Sequence, residues 1–419
     1  MAMGVGGLLR SRAVGAAVAQ VWQAVGNFGL QIIAAWTLGA AGLGLISLSL
    51  GVIILATALA SGMIGDSLVI LQRDNPRIRG ALLGWALIVA AVSAVVTGVA
   101  MAVTLLTPLQ AVLFACALVA FQFEELLRRV FMGVMQFWRL VVVDSVAVMG
   151  ALGSLALVAM FGSVTVEAFF AALLFGQLAA IVVAVLLLPR EERWLAPVRG
   201  ADLRAVWAFG SWRGAQVAVP QLMMTASRVL ITAFAGGVAL GLVEGARILV
   251  APVLLTVQGL GSYLLSTYVR DKSIGVVELR RRAWRASGLM MGAALLAGAA
   301  IFALTGPLGR IVGDIAVERL AVAGWVAYVI ASASFQPFAS LAAVKGAPRR
   351  VFACRVVDAS FAAALFVIVL AAGLPAAWAP FVLAAGLVLG GVLVRAAVLA
   401  PLTKESPARR ATELRIGHA

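Results

Sequence analysis

Histidine and cysteine are nearly missing from this chain of 419 residues, which excludes several kinds of chemistry. The single histidine is His418, close to the last residue, so neither a histidine proton relay nor a histidine metal site is expected. The two cysteines, Cys116 and Cys354, lie in apolar runs without CxxC or metal-ligand spacing. We therefore predict no metal site, no cofactor and no catalytic residues.

Charged residues are also scarce. They make up 12% of the chain, against roughly 25% in soluble domains. Hydrophobic residues make up 63%, and the mean hydropathy is +1.10. This composition excludes a soluble globular protein and predicts an all-α polytopic membrane protein. The GxxxxGKS/T phosphate loop is absent from the sequence, so an ATP-driven exporter would need a separate nucleotide-binding partner.

Apolar runs long enough to cross a membrane recur through the chain. A crossing takes about 20 residues, and the runs predict about twelve transmembrane helices. They cover 13–36, 42–70, 80–106, 109–123, 140–161, 168–188, 206–235, 238–269, 286–304, 320–344, 352–372 and 377–399. The longest charged interruption divides them into two sets of six. We predict a six-helix lobe at 1–188, a cytoplasmic linker at 189–204, a second six-helix lobe at 205–400 and a basic cytoplasmic tail at 401–419.

Basic residues are distributed unevenly between the loops. When alternate loops are assigned to opposite sides, only Arg310 and Arg319 fall on the less basic side. The positive-inside rule then predicts a multi-pass protein of the cell (inner or plasma) membrane with both termini cytoplasmic. The basic clusters are short and lack interleaved aromatic residues, which argues against a nucleic-acid partner. The amphipathic stretch Glu124–Arg139 is expected to leave the bilayer along its surface.

The two halves of the sequence resemble each other. One offset places Gly39 on Gly236, at the turn after the first helix of each half, and a second places Asp144 on Asp358. Six helices return the chain to the same side, so both copies run in the same direction. Such a duplication predicts two lobes related by a pseudo-twofold axis along the membrane normal, with a cavity between them.

Three segments carry a resemblance to a known family. Residues 39–59 (GAAGLGLISLSLGVIILATAL), 121–146 (FQFEELLRRVFMGVMQFWRLVVVDSV) and 236–260 (GGVALGLVEGARILVAPVLLTVQGL) resemble polysaccharide flippases of the multidrug/oligosaccharidyl-lipid/polysaccharide exporter (MOP) superfamily. The resemblance implies a transporter rather than an enzyme. By alternating access, it would move a polyprenyl-pyrophosphate-linked saccharide from the cytoplasmic to the outer leaflet, for polysaccharide or lipopolysaccharide biosynthesis in the cell envelope. Expected partners are this lipid-linked substrate, membrane lipids, and glycosyltransferases or a polymerase of the same pathway.

Three arginines inside the predicted spans are candidates for binding the diphosphate, since a guanidinium makes two parallel bonds to phosphate. Arg228 is the first candidate, because the charge-free runs on either side of it are too short to span alone. The alternative for Arg228 is an internal ion pair. Arg213, at the cytoplasmic mouth, could instead extend to the interface, and Arg247 could simply be neutralised by Glu244 at i,i+3.

A polar stripe runs along the first predicted helix. Gln20, Gln23, Asn27 and Gln31 follow one another at spacings of three and four, so they share a helix face. They could bind sugar hydroxyls in a central cavity, or they could make packing bonds between helices.

A cation-coupled small-molecule or drug exporter of the same superfamily is the alternative function, with Asp66 and Glu244 as candidates for ion coupling. Drug-exporting relatives carry acidic residues deep in the first or seventh helix, where this chain has amides and arginine, and that difference argues against the alternative. Asp144 and Asp358 are expected to pair with neighbouring arginines as structural residues.

Overall fold

The computed structural model describes residues 12–70, 75–193, 197–271, 274–313, 315–346 and 348–402. Within these ranges the chain forms helices and turns and no strand. The long helices are α1 (Arg12–Ala60), α2 (Pro76–Thr104), α3 (Pro108–Gly133), α4 (Phe137–Phe161), α5 (Val166–Leu187), α6 (Leu203–Arg270), α7 (Val276–Ala303), α8 (Arg319–Lys345), α9 (Pro348–Ala371) and α10 (Ala379–Leu393). The π-helical turns Ser61–Gly65 and Val394–Leu399 extend α1 and α10, and Asp66–Ile70 is a further short helix.

Two of the long helices are broken by a glycine. Gly39 in α1 has φ 66° and ψ −166°, and Gly236 in α6 has φ 85° and ψ 168°. L side chains rarely adopt such positive φ values, so each break requires glycine. The breaks lie at the two positions that the first sequence offset pairs.

Ten helices in the described ranges are long and apolar enough to cross a membrane. The spans that contain the breaks have 44 and 63 residues. At 1.5 Å per residue they would measure about 66 and 95 Å, roughly two to three times the hydrocarbon thickness of about 30 Å. Each is therefore long enough for two crossings. The prediction of an all-α multi-pass membrane protein with about twelve helices is confirmed.

Local sequence signals fix where several helices begin. Thr107 accepts a hydrogen bond from the backbone N–H of Gln110, and the Gln110 side chain accepts one from the Thr107 N–H. This capping box, followed by Pro108 at the first helical position, starts α3 immediately after α2 has ended. Asn75 also caps α2, because its side-chain oxygen accepts a hydrogen bond from the backbone N–H of Arg77, ahead of Pro76 at the first helical position. The cap at Thr107 allows the tight reversal expected between two neighbouring membrane helices.

Packing divides the chain into two compact units, Met1–Arg228 and Val229–Ala419. The lobe boundary at 189–204 stays a prediction. In the first unit, α4 and α5 approach closely at Gly176, where a Cβ would lie 2.4 Å from the carbonyl oxygen of Ala147. Small residues allow this kind of helix contact in membranes. In the second unit, the indole N–H of Trp325 in α8 donates to the carbonyl of Val243, at 2.9 Å.

The expectation that Glu124–Arg139 lies along the membrane surface is wrong. Helix α3 continues without interruption to Gly133, and both Glu124 and Arg128 are buried. Periodicity identified an amphipathic helix correctly but could not tell whether its charged face meets water or protein. The charged face is satisfied internally, because Arg128 forms ion pairs with Asp144 and Glu125.

Candidate functional site

Glycines bring the end of α1 against the first part of α6 within the first unit. A Cβ on Gly210 would lie 2.2 Å from the carbonyl oxygen of Met63, and one on Gly62 would lie 2.9 Å from the carbonyl oxygen of Arg213. The two backbones are thus in direct contact. This contact positions side chains of α1 and α6 next to each other on both sides of it.

Arg213 and Asp66 meet at one side of this contact. Nη2 and Nε of Arg213 donate to Oδ2 of Asp66, at 2.7 and 3.1 Å. Arg129 of α3 approaches the other carboxylate oxygen at 3.7 Å. The Asp66 carboxylate therefore lies between two guanidinium groups. The Arg213 side chain is 42% exposed, and such an exposed pair contributes only about 0–1 kcal/mol to stability.

Arg228 lies farther along the same pair of helices, 15 residues after Arg213 in α6. Its side chain is buried and lies against Gly51 of α1, where a Cβ would come within 2.5 Å of Nη1 and 3.2 Å of Cδ. One turn earlier, the hydroxyl of Thr225 donates to the carbonyl of Gly51, at 2.9 Å. Gly51 therefore leaves the space that the guanidinium occupies.

Arg247 and Glu244 form an ion pair within α6, in the second unit. Nε of Arg247 lies 2.5 Å from Oε2 of Glu244, and Glu244 is buried. This is the i,i+3 arrangement in which the carboxylate neutralises the arginine. A substrate anion at Arg247 would have to compete with Glu244.

Part of the polar stripe lines a small cavity inside the first unit. Gln23 and Asn27 of α1 face a space of about 40 Å³. We call this space the polar cavity. The charged and amide residues that complete its wall are Glu124, Arg128, Asp144 and Gln177. Gln31 is half-buried farther along α1, and the side chain of Gln20 lies outside the described part of the structure.

The polar cavity has room for about one water molecule. Among the described residues, three buried atoms of its wall lack a hydrogen-bond partner: the acceptors Oδ2 of Asp144 and Oε1 of Gln177, and the donor Nε of Arg128. The wall also carries two carboxylates against the single guanidinium of Arg128. The cavity is therefore suited to an ordered water or a positively charged species.

Sequence reasoning missed Glu124 and Gln177 as members of this cavity. The available signal was the charge pair Glu124 and Arg128 at i,i+4, directly after an apolar run of membrane-spanning character. The expected pairing of the repeated aspartates with neighbouring arginines is confirmed, and their structural role stays a prediction. Asp144 pairs with Arg128, and Asp358 pairs with Arg355 at 2.9 Å.

No protein-family profile matches the sequence, and a search of curated proteins gives no match. Several solved structures resemble the chain. The lipid II flippase MurJ in an inward closed conformation superposes with a TM-score of 0.73 at 9% identity, over 90% of this chain and 86% of MurJ. An inward-facing multidrug resistance MATE family transporter of the MOP superfamily gives 0.70 at 14% identity, over 92% of this chain and 96% of its own.

A MOP superfamily transporter from Pyrococcus furiosus, whose binding pocket is described as having reverse polarity, gives a TM-score of 0.62 at 14% identity. It aligns with 96% of this chain over its whole length. At such identities a likeness shows the fold and nothing more. The chain has the fold that these MATE transporters and MurJ share.

Proposed function

We propose that this protein is a transporter that flips a polyprenyl-pyrophosphate-linked saccharide from the cytoplasmic to the outer leaflet by alternating access. Its fold is common to a lipid flippase and to drug exporters, so the fold supports transport without choosing the substrate. The choice rests on one observation, the burial of Arg228 against Gly51 within a membrane-spanning helix.

Arginines within membrane-spanning helices are rare and mark candidate functional sites. A diphosphate is a suitable ligand for one, because its oxygens accept paired, charge-assisted bonds from the planar guanidinium. Arg213, with 42% of its side chain exposed, would meet the same head group at the cytoplasmic mouth. Gln20, Gln23, Asn27 and Gln31 remain candidates for the sugar hydroxyls, and Arg247 is a third candidate for the phosphates.

Proteoliposomes provide the direct test. The probe is a short-chain polyprenyl pyrophosphate carrying a fluorescent disaccharide, and its transbilayer movement is followed by dithionite quenching. Wild-type protein should accelerate flipping, and Arg228→Gln and Arg228→Ala should slow it about tenfold or more, because a charge-assisted bond is lost. Arg228→Lys should retain part of the activity, since a point charge replaces a fork. The matched control is Arg270→Gln, whose side chain is 78% exposed.

A second variant tests whether the position of the Arg228 guanidinium matters as well as its charge. Gly51→Leu keeps every charge but fills the space next to Nη1, so flipping should fall although the protein accumulates. If Arg228 instead serves an internal ion pair, its loss should lower the amount of inserted protein together with activity, and neutralising the partner carboxylate should restore both. Undiminished flipping per inserted molecule in Arg228→Ala would remove this arginine from the mechanism.

The polar cavity favours one alternative, a cation-coupled small-molecule exporter. Its two carboxylates are buried in the first unit, where a proton or metal cation could neutralise them. Asp66 and Glu244 remain candidates for coupling, although each is engaged by an arginine. Inverted vesicles distinguish the alternatives. Uptake of a cationic dye into these vesicles, driven by a proton or sodium gradient and lost in Glu124→Gln, would favour the exporter.

A further inference from the structure

An apolar groove runs along α3 of the first unit, independent of the proposed substrate site. Helix α3 forms its floor, and α2 and α5 form its two walls. Its volume is about 840 Å³, within the range of about 300–1,000 Å³ that is typical of ligand pockets. Representative lining residues are Leu82, Cys116, Phe123, Leu178 and Val185.

The groove has the length of a lipid chain and opens sideways. It extends from Arg79 to Ala94 along α2 and from Val130 to Ala115 along α3, which is about 22 Å at 1.5 Å per residue. Half of a bilayer's hydrocarbon core is about 15 Å. Cys116 in the groove is exposed, so the groove is open at its surface. A chain that enters from one leaflet can therefore lie along its whole depth.

The charged lining residues, Arg79 and Glu192, lie at one end of the groove, where they form an ion pair at 3.4 Å. Arginines also bond main-chain carbonyls at and just after the end of α5: Arg79 donates to the carbonyl of Glu192 at 2.5 Å, Arg139 to that of Leu187 at 2.7 Å, and Arg193 to that of Leu188 at 2.8 Å. Carbonyls at a helix C-terminus are suitable acceptors for such cations. The opposite end, near Ala94, Ala115 and Leu174, is apolar. The charge asymmetry of the loops predicts the arginine end to be cytoplasmic.

We propose that this groove binds an anionic phospholipid of the leaflet on the arginine side, with one acyl chain along α3 and its phosphate next to Arg193, whose Nε bonds the carbonyl of the lining residue Leu188. The apolar walls do not distinguish a bound chain from bulk lipid, because lipid tails are equally apolar. Selectivity must come from the basic end, and juxtamembrane arginines attract anionic head groups. The groove is longer than the hydrocarbon half of one leaflet, so an acyl chain anchored at that end fits within it.

Native mass spectrometry of the full-length protein tests the assignment. The protein is equilibrated in micelles containing equal amounts of phosphatidylglycerol and phosphatidylcholine, and retained lipids are counted. Phosphatidylglycerol should be retained preferentially, and Arg193→Gln should weaken its retention about fivefold. Arg270→Gln, which changes an exposed arginine of the second unit, should leave retention unchanged.

Filling the groove gives an independent readout that leaves every charge in place. Cys116 is exposed within the groove, so Cys116→Phe should reduce retention of phosphatidylglycerol while the protein stays folded. In a Cys354→Ser background Cys116 is the remaining thiol, and phosphatidylglycerol should slow its alkylation where phosphatidylcholine does not. Equal retention of the two lipids, unchanged retention in Cys116→Phe, or displacement of phosphatidylglycerol by equimolar polyprenyl phosphate would each overturn the proposal.

Discussion

Breaking the buried ion pair between Arg128 and Asp144 should destabilise the first unit, and by an amount that depends on which partner is removed. Both side chains are nearly inaccessible, with 2% and 3% exposure. Removing one member of a buried pair costs about 3–5 kcal/mol, because the other charge is left uncompensated. In Asp144→Asn, Arg128 still has Glu125, whose carboxylate lies 3.1 Å from Nε. The loss should therefore lie near about 3 kcal/mol.

Arg128→Met should be the more damaging change. It leaves the Asp144 and Glu124 carboxylates buried in the polar cavity with no guanidinium between them, so the loss should approach about 5 kcal/mol. At about 2–4 °C per kcal/mol for a unit of this size, the losses correspond to roughly 6–12 °C and 10–20 °C in the midpoint of thermal unfolding. The double variant Arg128→Met, Asp144→Asn should recover part of the difference.

The second half of the chain supplies a matched control. Asp358 occupies the position equivalent to Asp144, but its partner Arg355 is 21% exposed and also lies over the ring of Phe335 at 4.8 Å. Asp358→Asn should therefore lower the unfolding midpoint less than Asp144→Asn. The assay is thermal unfolding of purified protein in detergent, followed by intrinsic tryptophan fluorescence. Equal shifts in the two aspartate variants, or a smaller shift for Arg128→Met than for Asp144→Asn, would refute the reasoning.

Three further predictions concern topology and backbone. In a cysteine-free background, Ser163→Cys should react with an impermeant thiol reagent outside whole cells and Asn75→Cys should not; the reverse pattern would invert the assigned orientation. Gly39→Ala should cost about 1–2 kcal/mol of stability because φ is positive, whereas Gly29→Ala, in open space within a regular helix, should be neutral or stabilising in the same unfolding assay. Thr107→Ala should lose about 1 kcal/mol with the capping box, and an unchanged midpoint would contradict that role.

The sequence was sufficient to predict the helices, because a bilayer requires apolar runs of defined length and glycine marks the turns. The break at Gly236 was expected from the repeat even though α6 continues on both sides of it. Hydropathy carries no information about which neighbour a helix face meets. The burial of Glu124 and Arg128 therefore could not be derived, since the same pattern fits a helix lying on a membrane surface.

The candidate site was predictable only in part. Arg228 could be identified from the sequence because it is a charge within a predicted span. Its neighbour Gly51 is recognisable only from the packing of α1 against α6. Arg395 illustrates the same limit of a linear sequence. It lies in the turn that extends α10, over the rings of Phe338 and Trp284 at 4.1 and 4.9 Å, which are 57 and 111 residues away in the sequence. Contacts between residues far apart in the sequence determine the surroundings of such arginines, and the sequence alone does not show these contacts.

Both halves of the chain contain a helix that is broken at a glycine with positive φ. Because the halves belong to one polypeptide, each can change its sequence independently of the other, which the subunits of a homodimer cannot do. In a dimer of identical six-helix chains, every substitution would occur in both subunits, and each arginine would have a symmetry-related copy. Joined in a single chain, the halves can diverge, and the offset that pairs Gly39 with Gly236 places glutamine at 31 where the second half has Arg228. A repeated scaffold can in this way carry a single, unrepeated charge.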